Sequence, residues 1–129
     1  MKKSLMILLL ILFAALSCGF DWTFGLSGKC SQAKKIVTVL EETTDNMERV
    51  QAENRVMDLC ADGAPGNYVK ALQRERAADL DGAIEAYREC LEKDPSFPFA
   101  SGRLGFVYYL KGMYDEAALE LTKALVAKQ

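Results

Sequence analysis

Four cysteines, Cys18, Cys30, Cys60 and Cys90, are the residues of this 129-residue chain best suited to covalent chemistry. No histidine accompanies them, which removes the commonest general base and the commonest metal ligand together. Cys30 and Cys60 each stand fifteen residues from Asp45, inside a run Thr43-Thr44-Asp45-Asn46 of helix-capping types. Glu48, three residues beyond Asp45, completes the pattern of a capping box. If the chain folds back there as a helical hairpin, the start of its first helix lies beside the end of its second. The two thiols then face one another, and an oxidising compartment joins them. Closing a loop of about 30 residues would stabilise by roughly 3–4 kcal/mol.

Carboxylates are abundant but fit no catalytic pattern. Glu41-Glu42, Glu85, Glu89 and Glu92 read as exposed helix faces, with Glu89 and Lys93 at the i, i+4 spacing of a solvated pair. The chain carries no CxxC, HExxH, phosphate loop or nucleophile elbow. Neither an enzyme nor a cofactor or metal site is expected. Sixteen Lys and Arg against eighteen Asp and Glu give a net charge of −2. Without a basic cluster to neutralise phosphates, nucleic acid is not an expected partner.

The elements that position these residues begin after an address. Lys2 and Lys3 precede an uninterrupted apolar run from Leu5 to Leu16. Twelve helical residues cover about 18 Å, short of a hydrocarbon core of about 30 Å, so a cleaved signal peptide over residues 1–17 fits better than a spanning helix. The segment Ala15-Leu16-Ser17-Cys18 resembles the lipobox of bacterial lipoproteins, with Ala15 and Leu16 departing from the family's preferred types. That resemblance implies lipidation of Cys18 and, with Gly19 following, sorting to the periplasmic face of the outer membrane. Plain secretion after cleavage at the same bond is the competing outcome. Removing residues 1–17 takes away two lysines and leaves 112 residues with a net charge of −4.

Residues 18–29 would form a tether in which Phe20, Trp22 and Phe24 either dock on the helical body or lie in the membrane interface. Residues 30–63 form the expected hairpin, with apolar stripes of Ile36, Val37, Val39 and Leu40, then Met47, Val50, Val56, Met57 and Leu59. The cluster 61–66 reads as a breaker and boundary. Helices are then expected over 68–77, 80–93, 99–111 and 114–127. Asp94-Pro95 ends the second of these, and Pro98 suits the first turn of the third.

The last four helices are two copies of one pattern, 34 residues apart. Ala71 aligns with Gly105, Ala78 with Gly112, Ala83 with Ala117, Tyr87 with Leu121, Cys90 with Ala124 and Leu91 with Leu125. Cys90 thereby occupies a small buried slot and reads as an inert core thiol. A self-match at this period marks a helix-turn-helix solenoid whose units bury their apolar faces on one another. The second copy carries Leu104-Gly105, Tyr108, Gly112, Tyr114, Ala117, Leu121 and Ala124, and the first carries Ala71, Leu80, Ala83, Tyr87, Cys90 and Pro95. This resembles tetratricopeptide repeat proteins, with repeats over 64–97 and 98–129. Lys70 and Arg74 depart from it, standing where the family has apolar residues.

The fold class expected is therefore all-α, a short helix-turn-helix solenoid of tetratricopeptide type preceded by a helical hairpin. The resemblance implies a protein–protein interaction module whose concave face would use Tyr68, Leu72, Arg76, Phe99, Arg103, Phe106 and Tyr109, with Glu75 and Leu110 beside them. Aromatics and arginine are the usual anchors of a peptide groove, and Gly102 leaves a gap for a ligand side chain. The alternative is that Phe106 and Tyr109 pack on the hairpin. A further alternative is self-association through Leu119 and Val126 on the last helix.

Overall fold

A computed structural model describes residues 22–128, with side chains from residue 28 onward. The expected signal peptide 1–17, the lipidation site Cys18 and Phe20 lie outside the described residues, as do the side chains of Trp22 and Phe24. The described chain is all-helical: α1 (Trp22–Glu42), α2 (Asn46–Cys60), α3 (Ala64–Arg76), α4 (Leu80–Lys93), α5 (Ala100–Leu110) and α6 (Tyr114–Val126). Each of α1/α2, α3/α4 and α5/α6 packs as a pair, and α2 and α1 lie on α3 while α4 lies on α5. This is a helical-repeat-like arrangement of three hairpins.

The first hairpin turns where its capping residues stand. The Asp45 carboxylate accepts from the Met47 and Glu48 amides at 2.8 and 2.9 Å, satisfying two of the orphan donors at the start of α2. Glu48 accepts from the Thr43 hydroxyl at 2.8 Å rather than closing a box onto Asp45. Ala33, Val37 and Leu40 are buried at i, i+4 and i+7 of α1, and Val56 and Cys60 on α2. Val39, Met47 and Val50, expected in the apolar stripes, are exposed: Val39 lies off the Ala33–Val37–Leu40 line, and Met47 and Val50 lie outside the Val56–Cys60 line. Helix α1 starts at Trp22, so the segment expected as a tether is already helical eight residues before Cys30.

Cys30 and Cys60 form a disulfide, their Cα atoms 5.0 Å apart. The chain turns immediately beyond it at Gly63, where a Cβ would stand 2.2 Å from Cys60 Sγ. The supposed breaker 61–66 divides here. Its last three residues open α3 four residues earlier than expected, because Pro65 sits in the first turn, where a missing N–H costs nothing.

Helix α4 has the expected bounds, capped by Asp79 through the Gly82 amide at 3.0 Å. Its buried side, Ala83, Ala86, Tyr87 and Cys90, meets Tyr68, Val69, Ala71 and Leu72 in one core with Leu104 and Val107 of α5. Lys70 and Arg74 stay out of that core. Lys70 lies 4.0 Å from Asp62, and Arg74 donates to the Gly82 carbonyl at 3.2 Å. Helix α5 begins at Ala100 rather than Phe99, since Phe99 has φ +66° and so stands outside the helix as its N-cap, with Pro98 outside too. Phe97 turns inward instead, its ring 5.3 Å from that of Tyr68.

Candidate functional site

The residues expected to line a concave groove separate into two groups. Tyr68 and Leu72 are core residues: α1 lies across the inner side of α3 and covers them. They present no surface to a ligand. The Tyr68 hydroxyl donates to Glu41 Oε1 at 2.6 Å, and the Tyr87 hydroxyl to Glu75 Oε2 at 2.7 Å. Arg103 joins these two carboxylates, with Nη2 2.9 Å from Glu41 Oε2 and Nη1 3.3 Å from Glu75 Oε1. Arg76 is engaged likewise, 2.8 Å from the buried Glu53, which also accepts from Gln73 at 3.2 Å.

This polar run, Tyr87–Glu75–Arg103–Glu41–Tyr68, clamps three hairpins together. Burial pushes both phenols far above their ordinary range, and their carboxylate partners push them further. Burial would lower the Arg103 guanidinium, but the hydrogen bond and charge of Glu41 outweigh it and hold it raised. A cavity of about 140 Å³ lies between Arg49, Arg76, Arg103, Glu41 and Glu75. Arg103 spans Glu41 and Glu75 there, Arg76 pairs with Glu53 outside the lining, and Arg49 donates to the Thr43 carbonyl at 3.3 Å, so it reads as a structural joint. Cys90 is fully buried, its thiol pushed up to about 12 by burial and by the charge of Asp94, which leaves it protonated and inert at neutral pH.

Glu41, expected on an exposed helix face, turns inward. It follows Ala33 and Val37 at successive i+4 steps, on the buried face of α1.

Phe99, Phe106 and Tyr109 form the second group and are exposed. Phe106 and Tyr109 are exposed and do not pack on the first hairpin, which meets α5 through the Glu41–Arg103 pair. Among the described side chains, nine exposed large apolar residues lie on the second helix-turn-helix unit, against three on the first hairpin and none on α3 or α4. The repeat itself shows what is unusual about them. Phe106 is 47 % exposed where its equivalent Leu72 is 6 %, and Leu121 is 41 % exposed where Tyr87 is 0 %. Leu125 is 67 % exposed where Leu91 is half-buried.

The face is continuous because small residues zip α5 to α6 beneath it. A Cβ on Gly105 would stand 2.8 Å from Leu121 Cγ, and one on Gly102 would touch Ala124 at 3.7 Å. The Tyr109 and Tyr114 rings meet edge-on at 5.8 Å across the same seam. At the Phe99 end a groove of about 650 Å³ opens between the helices, floored by Phe97, Gly102 and Ala124 and edged by Arg103 and Lys123. Leu119 and Val126 are also exposed. No protein-family model, curated protein or solved structure matches this chain.

Proposed function

We propose that this chain is an exported, lipid-anchored protein–protein interaction scaffold of tetratricopeptide type in the bacterial cell envelope. The single observation that carries the proposal is the end face of the second unit. Phe106, Tyr109, Leu121 and Leu125 are exposed there while the matching first-unit residues are covered. A contiguous apolar surface of this kind loses favourable burial until something docks on it. Aromatic anchors beside Arg103 are the residue types that dominate binding energy at interfaces.

Export is supported by the apolar run Leu5 to Leu16 and by the Cys30–Cys60 bridge, which belongs to an oxidising compartment. The anchor would be an acyl chain on Cys18, holding the helical body at the membrane surface. A homo-oligomeric envelope-assembly element is the alternative. It is favoured by one observation, the exposure of Tyr114, Ala118, Leu121 and Leu125 in line along α6.

The test is a crosslinked capture from membranes with wild type and with a Phe106→Ala, Tyr109→Ala variant whose helical spectrum is unchanged. The scaffold account expects a protein captured by wild type and lost by the variant. Equal capture by both would remove this face from the account.

A further inference from the structure

We propose that the occupant of this face is a second copy of the same chain, with the two α6 helices packed antiparallel about a two-fold axis. The inference rests on the reading that the end face is an interaction surface, and names its partner. Tyr114, Ala118, Leu121 and Leu125 stand at i, i+4, i+7 and i+11 of α6, and all four are exposed. That spacing is one stripe of a helix that packs on another helix, with Ala118 small enough to let the axes approach.

Charge along α6 is self-complementary when the helix meets its own copy in the antiparallel sense. Asp115 and Glu116 lie in its first turn and Lys123 in its last, with Lys128 just beyond. Turned antiparallel on itself, the helix sets its acidic end against the basic end of its copy, and a two-fold axis makes that contact twice. A parallel pairing would set like charges together.

The first unit provides the precedent within the chain. There the equivalents of the stripe, Leu80, Ile84, Tyr87 and Leu91, are buried or half-buried, and α5 packs on α4. Lys111, at the end of that covering helix, pairs with Asp81 at the start of α4. Asp115 is the equivalent of Asp81 one unit later and is exposed. Lys128 of the copy, at the end of its own α6, is placed to do for Asp115 what Lys111 does for Asp81.

The experiment uses two differently tagged full-length copies co-expressed and extracted together from membranes. Wild-type copies are expected to co-purify. Asp115→Lys on both copies, or Lys128→Glu on both, sets like charges together and is expected to reduce recovery by about tenfold or more. Pairing an Asp115→Lys copy with a Lys128→Glu copy restores opposite charges at both contacts and is expected to restore recovery, which also shows that each variant folds. Leu121→Glu with Leu125→Glu on both copies is expected to abolish it. Wild-type copies that do not co-purify, or a mixed pair no better than the like pairs, overturn the inference. If copies fail to co-purify while a photo-crosslinker at Leu125 still joins another polypeptide, self-association falls and the interaction surface stands. Failure of both removes both.

Discussion

Arg103 and Glu41 are 62 residues apart in sequence and 2.9 Å apart in space. With Glu75 as its second partner, Arg103 ties the second helix-turn-helix unit to the first and to the disulfide-bridged hairpin. The guanidinium is over a third exposed, but both carboxylates are largely buried. Removing the cation strands them. Arg103→Met is expected to cost about 1–3 kcal/mol in urea unfolding, discounted for the solvent that reaches the arginine. A double-mutant cycle with Glu41→Gln should show a coupling of at least about 0.5 kcal/mol. Simple additivity would mean that the pair is not the joint.

The Cys30–Cys60 bridge closes the hairpin whose α1 covers Tyr68 and Leu72. Replacing both cysteines with alanine is expected to lower stability by roughly 3–4 kcal/mol. The loss should be matched by wild type unfolded under reducing conditions. A variant as stable as the oxidised protein would contradict the pairing.

Asp94 supplies a pH dependence with a defined sign. Burial alone would raise its pKa, but hydrogen bonds from Lys34 at 2.6 Å and from Ser96 outweigh it and hold the carboxyl below 3.8. A depressed acid stabilises fully above its unfolded value and loses that contribution as pH falls through its folded one. Wild type should therefore melt above Asp94→Asn at about pH 6, with the gap narrowing as pH falls below the ordinary carboxylate range. A gap that persists or widens in acid would contradict the Lys34–Asp94 pair.

Two glycines in helices should respond oppositely to alanine. A Cβ at Gly66 would stand 2.1 Å from the Ala61 carbonyl oxygen, a backbone atom that cannot move aside. Gly66→Ala is expected to cost more than about 2 kcal/mol. At Gly102 the nearest atom is Ala124 Cβ at 3.7 Å, so Gly102→Ala should gain about 0.5–1 kcal/mol from helix propensity. Thermal melts of the two variants would decide, and shifts in the same direction would count against the close approach of α3 to the chain before it.

Local patterns proved legible where one residue decides the outcome. Asp45 and Asp79 cap helices from their own side chains, and Asp94-Pro95 ends α4 at the expected place. Pro65 misled because proline both breaks a helix and begins one, and only the fit of Gly66 under Ala61 tells which. The larger miss was tertiary. The resemblance to tetratricopeptide repeats implies an inner face bearing Tyr68 and Leu72, but the 34-residue match that carries it holds no information on where a hairpin outside the match will lie. Helix α1 lies on that face, and its signal was the i+4 line Ala33, Val37 and Glu41. What remained exposed was therefore the Phe106–Tyr109 half of the expected groove, joined by Leu121 and Leu125 of the next helix.

The central claim is that this end face, and not the opposite end of the molecule, is where a partner docks. Site-specific photo-crosslinking of the full-length chain in membranes tests it most directly, with the probe at Leu125 or at Val50, an exposed apolar position on α2. A discrete crosslinked product from Leu125 and none from Val50 is the predicted result. Crosslinks from Val50 with none from Leu125 would contradict it.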